Sequence, residues 1–375
     1  MSKTLLGFLF WILKKESTIV LKRFKPQIIA VTGSVAKTST KEAIFAVLAT
    51  KFKDRLSKSY GNLNNEIGIP LSILGFKFTP TKWQWTAVIF SGFFRALFIR
   101  KFPDILVLEM AADKPGDIDY FNSFIKPNIS LVTTVGPAHL ATFKTIDGVF
   151  REKRKLVENL PSNGIAVLNK LDPQVVKMKD YTKAKIVWYN GTGWDIAQKA
   201  AMAVADIFKI KKTIAEKAIK SAKDIKGRMN LLAGYRKSKI IDDTYNSNPL
   251  SCSAALDFLS WFKNRRKIAI LGDMLELGSY SEKAHSQIAQ KARKIADLLI
   301  LVGENFKIFP KSDYWYPDCN LAAANIKKII VENDVILVKG SQGIRMEKIV
   351  EKIMANPERA KNLLVRQSKE WKSRK

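Results

Sequence analysis

Short, uninterrupted apolar runs alternate with longer stretches of helical period along most of this chain. Pro26–Thr32 (PQIIAVT), Ile105–Met110 (ILVLEM), Ile129–Val135 (ISLVTTV) and Ile165–Asn169 are the runs of the first half. Such runs read as strands buried on both faces, the mark of a parallel sheet. Between and after them, Thr38–Thr50, Asp147–Leu160, Ala197–Phe208 and Lys212–Ala222 read as helices. The second half repeats the alternation. Strands are expected at Ile240–Asp243, Lys267–Leu271, Leu298–Val302 and Val335–Lys339, and helices at Ser251–Phe262, Ser281–Ile295 and Arg345–Met354. The pattern predicts an α/β fold with mostly parallel sheets covered on both faces, and ligands at the carboxyl ends of the strands. Gly227 reads as a break between two such units, and no internal repeat is evident. The stretch after Pro357 is basic and reads as a helix or a loose end.

Two apolar segments stand outside this alternation. Leu5–Leu13 (LLGFLFWIL) is followed by Lys14 and Lys15. It is short of the roughly 20 residues a spanning helix needs, and lacks the charge and cleavage pattern of a signal peptide. Trp83–Phe102 is interrupted by Arg95 and Arg100. Aromatic and aliphatic residues flanked by Lys and Arg fit either a helix lying in a membrane interface or packing against the protein's own core or a partner subunit.

Composition narrows the chemistry. Hydrophobic residues make up 47% of the 375 positions and charged residues 26%, which excludes a disordered chain. The length suggests two or three domains. Cys252 and Cys319 alone cannot build a disulfide framework or a cysteine-rich zinc site, and His139 and His285 alone cannot build a histidine cluster. A reducing, cytoplasmic setting fits. The 64 Lys and Arg against 34 Asp and Glu give a net charge of +30, which suggests an anionic partner or simply a lysine-rich surface. No recognition-helix or RNA-binding signature accompanies that charge, so nucleic acid is not expected as a partner.

Candidate chemistry begins after the first strand. Thr32-Gly33-Ser34-Val35-Ala36-Lys37-Thr38-Ser39-Thr40 follows a strand and opens a helix, where backbone N–H groups and the helix N-terminus attract phosphate. Lys37 would reach the outer phosphates and the Thr38 hydroxyl would hold Mg²⁺. The strict P-loop pattern fails at Val31 and Ala36, and an alanine at the latter position would be strained if the backbone there needs a positive φ. Tyr60–Pro70 (YGNLNNEIGIP) is a polar, turn-rich block. Glu109 ends an apolar strand, where a carboxylate suits Mg²⁺ or simply caps and meets solvent. His139 follows another strand, and Lys153 lies in Arg151–Leu156 (REKRKL), which by itself reads as a solvated helix face.

The order of these motifs resembles the Mur ligases, ATP-dependent amide ligases of peptidoglycan precursor synthesis. The resemblance runs from about Pro26 to Glu351. Ile241–Pro249 (IDDTYNSNP), Leu271–Gly278 (LGDMLELG) with His285 seven residues on, and Val338–Ser341 (VKGS) look most like the branch that adds D-alanyl-D-alanine to a UDP-linked tripeptide. The family implies ATP and Mg²⁺ as cofactors and an acyl-phosphate mechanism. By motif, Gly33, Ser34, Val35, Ala36, Lys37, Thr38 and Ser39 bind ATP. Thr38 and Glu109 hold one Mg²⁺, and His139 and Lys153, the latter in carbamylated form, a second. Lys37, Glu109, His139 and Lys153 are the catalytic set. Arg228 and Asp243 engage ATP from the later domain. Asn64, Asn65, Tyr245, Asn246, Asn248, Pro249 and Lys339 are substrate residues, the Asn246, Asn248 and Pro249 group reading equally as a turn.

The resemblance divides the chain into an apolar-basic segment 1–25, a P-loop-type central ATP-binding domain 26–228 and a Rossmann-like domain 229–375, with the active site in the cleft between the last two. The family's usual UDP-binding domain is not expected here, since only about 30 residues precede the phosphate loop. Ala36, Ala197 and Gln342 are further departures. The expected partners are a nucleotide- or lipid-linked muropeptide and D-alanyl-D-alanine, with peripheral contact to an anionic membrane and a monomeric state. The alternatives are a sibling ligase with another acceptor or donor, and a catalytically weakened nucleotide-binding protein at the membrane surface.

Overall fold

A computed structural model describes residues 3–81, 83–222 and 225–373. The chain forms two compact units, Met1–Gly136 with Thr145–Ala222, and Pro137–Lys144 with Lys223–Lys375. Each is built on a six-stranded sheet, four strands of which the alternation of runs marks.

In the first unit the strands are β1 (Gln27–Thr32), β2 (Leu56–Lys58), β3 (Ile105–Glu109), β4 (Ile129–Val132), β5 (Ile165–Asn169) and β6 (Lys185–Tyr189), in the order β2-β3-β1-β4-β5-β6. All neighbours are parallel. β1 therefore lies between β3 and β4, and the strand order reverses around it, the place where open α/β sheets bind ligands. Helix α1 (Lys3–Phe24) precedes β1, and α2 (Lys37–Phe52) follows it. Alternate strand residues feed two cores. Ile28, Ala30, Leu106 and Leu108 join the core that α1 and the Gln84–Phe98 helix cover. Ile29, Val31, Val107 and Leu131 join the core under α2 and the Ile196–Ile207 and Lys212–Ser221 helices. Burial on both faces is why these strands are apolar throughout.

The second unit has β7 (Asn230–Ala233), β8 (Lys239–Asp243), β9 (Lys267–Gly272), β10 (Leu298–Val302), β11 (Tyr314–Tyr316) and β12 (Val335–Lys339), ordered β11-β10-β9-β12-β8-β7. Only β7 runs antiparallel among the described strands. The Pro249–Leu259, Ser281–Ile295 and Glu347–Ile353 helices cover its two cores. Here too the strand order reverses about the central strands, at the carboxyl ends of β8, β9 and β12.

The long buried strands fall within a residue or two of expectation, except that the pairing of β4 stops at Val132 rather than Val135. The segment 1–25 forms, from Lys3, one 22-residue helix. Leu9, Leu13, Val20 and Leu21 sit in the first core, so one face of this segment packs as the second of the two alternatives has it. No helix among the described residues is long and apolar enough to cross a membrane.

Candidate active site

The phosphate-loop segment sits at the carboxyl end of β1. Gly33 has φ 147° and presses against β4, where a Cβ would fall 1.8 Å from Thr133 Oγ1. No side chain fits there, which is the physical reason for glycine. The loop is pinned from the β4 side. Ser34 N–H donates to the Thr134 carbonyl at 2.8 Å, Val35 N–H donates to Thr134 Oγ1 at 3.1 Å, and Thr133 Oγ1 donates to the Val35 carbonyl at 2.6 Å. Ala36 has φ 62° and ψ 6° and precedes the first residue of α2. The positive φ suspected from the sequence is real, and alanine carries a steric cost there. Lys37 Nζ folds back to donate to the Gly33 carbonyl at 2.7 Å.

Thr38 and Glu109 meet. The Thr38 hydroxyl donates to Glu109 Oε1 at 2.9 Å, and Asn64 Nδ2 donates to the same oxygen at 3.0 Å. Glu109 is 1% exposed at the end of β3. Lys41, one turn along α2 and fully buried, places Nζ 3.3 Å from Glu109 Oε2. Sequence reading missed Lys41; its spacing of four from Lys37 was the available signal. Asn65 turns away from this cluster, its Oδ1 accepting the Gly68 N–H at 2.9 Å. The hydroxyl and carboxylate oxygens of Thr38 and Glu109 form the kind of donor pair that suits a hard cation.

Lys153 is not a solvated residue. It lies on the inward face of the Ile146–Glu158 helix and is 1% exposed. Burial first, and the charge of Lys37 second, push its pKa down to about 7. Its neighbour Glu152 accepts from the Gly116 and Ile118 N–H groups, fixing the loop that follows β3.

In the second unit, His139 adopts φ 54° at the start of a short helical turn, and its Nδ1 lies 2.7 Å from Glu276 Oε2. That hydrogen bond holds the Glu276 carboxyl below its ordinary pKa. Glu276 is a second residue the sequence reading did not single out. Asp243 ends β8 and Lys339 ends β12. They form a buried pair, Nζ to Oδ2 at 2.6 Å, and the same Nζ donates to the Asn246 carbonyl at 2.9 Å. The Arg228 guanidinium stacks 4.1 Å above the Tyr245 ring.

Asn248 and Pro249 behave as the turn alternative predicts. Asn248 caps the Pro249–Leu259 helix in a reciprocal box with Ser251, and Pro249 occupies its first position. Asn246 and Asn248 nonetheless line a cavity of about 550 Å³ within this unit, with His139, Glu276, Ser341 and Arg345 on its walls. His285 lies outside the cavity lining, buried in the loop's support. Its Nε2 accepts the Met274 N–H at 2.9 Å, and its Nδ1 faces the Ser281 carbonyl at 2.7 Å. Among the described residues, no group of three or more His, Cys, Asp or Glu forms a metal cluster.

Comparison with known proteins finds the same fold and the same pair of domains. UDP-N-acetylmuramoyl-tripeptide–D-alanyl-D-alanine ligase of Escherichia coli (strain K12) is 27% identical over 383 residues, covering 90% of this chain and 79% of that protein. The ligase of the same name from Bacillus subtilis (strain 168) is 25% identical over 391 residues, covering 92% and 79%. The crystal structure of MurF ligase from Thermotoga maritima in complex with ADP matches with a TM-score of 0.77 at 25% identity, over 92% of this chain and 83% of that one. Residues 94–233 match the Mur ligase middle domain and residues 227–342 the Mur ligase, glutamate ligase domain. With both domains in tandem, the chain belongs to the Mur ligase family.

Proposed function

We propose that this chain is the ATP-dependent ligase that joins D-alanyl-D-alanine to a muropeptide carboxylate in peptidoglycan precursor synthesis. The relatives that carry this name span most of the chain. The observation that carries the reading is the Thr38–Glu109 contact beside the Gly33 loop, at the point where the first sheet reverses its strand order.

In the proposed reaction a carboxylate oxygen attacks the γ-phosphorus of ATP, forming an acyl phosphate and releasing ADP. The amine of the dipeptide attacks the acyl carbon, its proton leaves, and the C–O bond breaks to give amide and phosphate. The protein's task in such transfers is positioning and charge stabilisation. Backbone and side chains of Gly33 to Ser39 hold the phosphates, Lys37 swinging from the Gly33 carbonyl to the outer ones. Thr38 and Glu109 hold Mg²⁺, which when bound neutralises phosphate charge, and Lys41 balances the carboxylate behind it. Lys153, with a pKa near 7, has a large neutral fraction at physiological pH. The neutral amine is the form that would take up CO₂ to become a carbamate, an oxygen ligand that would suit Mg²⁺, and His139 would likewise serve as a metal ligand. Arg228 and Asp243 engage ATP, and Asn64, Asn65, Tyr245, Asn246, Asn248, Pro249 and Lys339 shape the substrate sites. In this reading 26–228 and 229–375 are the two ligase domains, with the helix of segment 1–25 packed on the first, and the protein acts as a monomer on a nucleotide- or lipid-linked muropeptide.

The test is phosphate release from ATP with Mg²⁺, D-alanyl-D-alanine and UDP-N-acetylmuramoyl tripeptide. Release is expected to need both substrates and to vanish in Lys37→Ala. ATP binding without substrate-dependent release would overturn this acceptor and donor pair.

A further inference from the structure

The first unit carries an apolar face that its own fold does not use. In the Gln84–Phe98 helix the inward residues are small: Val88, Gly92 and Ala96 are buried, at a spacing of four. Gly92 allows close approach to α1, since a Cβ there would lie 2.3 Å from Glu16 Oε2. Trp85 and Ile89 pack partly against the same core, but the other large residues point the other way. Trp83 just before the helix, and Phe90, Phe94 and Phe98 along it, are 94, 63, 60 and 65% exposed. Ordinary amphipathicity would bury the phenylalanines and expose the small residues. Arg95 does not break this face, because it turns inward to donate to the Leu74 carbonyl at 2.8 Å.

Helix α1 continues the surface. Its buried residues join the same core as Val88 and Ala96. Its opposite stripe reads Phe8, Trp11, Lys15, Ile19 and Lys22, all exposed. Phe8 and Trp11 stack at 6.1 Å, and Lys15 lies over the Trp11 ring. The two helices are tied at their ends by Arg23 Nη1 donating to the Leu97 carbonyl at 2.6 Å.

Charge selects the occupant. Glu16 is the only acid in either helix, and it is buried between them. Exposed Lys15, Lys22, Arg23, Arg100 and Lys101 accompany the aromatic stripes. A protein partner would be expected to meet some charge pairing of both signs. On the two helices themselves the exposed charge is solely basic, which makes this apolar face the complement of an anionic bilayer surface, where the rings enter the interface and the cations meet headgroups.

We propose that α1 and the Gln84–Phe98 helix form a membrane-docking face that binds anionic lipid headgroups peripherally, without spanning the bilayer. This holds or fails independently of the ligase assignment, because no substrate or turnover enters the test.

The experiment is flotation of the full chain with phosphatidylcholine vesicles, with and without phosphatidylglycerol. Binding is expected to need phosphatidylglycerol and to weaken as salt rises from about 0.1 to about 1 M, where the Debye length falls from about 10 to about 3 Å. The triple variant Phe90→Ser, Phe94→Ser, Phe98→Ser changes exposed positions only. It is expected to keep its circular dichroism and to bind at least about tenfold more weakly. Lys15→Glu with Lys22→Glu is expected to lose the phosphatidylglycerol dependence. No flotation with either vesicle, or flotation undiminished in both variants, overturns the proposal. So does a vesicle-free dimer that the triple variant abolishes, which would assign the face to a second copy.

Discussion

Ala36 shows how much a single backbone position can reveal. Its φ of 62° is a conformation that glycine enters freely and alanine does not. The sequence signalled the difficulty, because an alanine stands where the phosphate-loop pattern has glycine. Replacement of Ala36 by glycine removes the steric cost, against a smaller gain in unfolded-chain entropy. Ala36→Gly is expected to stabilise the protein by about 0.5–1 kcal/mol. A urea midpoint that moves down instead of up would show that the loop relaxes around the methyl group. Other residues were beyond sequence reading. Lys41 reads as one more cation on a helix, and only the fold brings it to 3.3 Å from Glu109, 68 positions away. Lys153 sits in a run of charges that reads as solvated. Its burial follows from which side of the helix meets the sheet, and two turns of charged sequence do not contain that information.

Elements were legible in proportion to how strongly their own residues are buried. The strands of the two sheet centres announce themselves as continuous apolar runs, because both faces meet cores. β2 and β11 have three residues each, and β7 has four and alternates in burial, too little for a pattern to stand out. The Gln84–Phe98 helix was legible as apolar but not as oriented, since hydrophobicity alone cannot say that Gly92 faces in and Phe94 faces out. The Pro249–Leu259 helix separates structure from function most directly. Asn248 makes its capping box and also lines the cavity. Asn248→Ala is expected to cost about 1 kcal/mol, whereas Asn248→Asp keeps the cap and holds stability within a few tenths. If thermal denaturation finds both variants equally destabilised, the amide group matters for more than capping. Asn246, whose Oδ1 accepts only a neighbouring backbone N–H among its described bonds, is the cleaner position for a loss of activity without loss of stability.

At the scale of the whole molecule, the α/β class and the mostly parallel sheets followed from the alternation of runs, and the strand orders did not. Nothing in the apolar runs says that β3 passes to the far side of β1, or that β12 inserts between β8 and β9. Those crossovers bring Glu109 beside Thr38 and Lys339 beside Asp243, so the sites are products of topology that motifs mark only in part. Topology also buries Lys153, and that has a global consequence. In the unfolded chain this amine holds its proton to about pH 10.4, whereas in the fold its pKa is about 7. Between those values the unfolded state binds more protons, so the group's contribution to stability rises with pH. Below about pH 7 both states are protonated, and the cost of a buried cation is present in full. Urea midpoints in CO₂-free buffer from about pH 6 to about pH 9 are therefore expected to climb for this group, and Lys153→Met is expected to flatten that climb. Parallel profiles for the two proteins would mean that Lys153 keeps its proton in the fold. It could not then supply the neutral amine on which carbamylation depends.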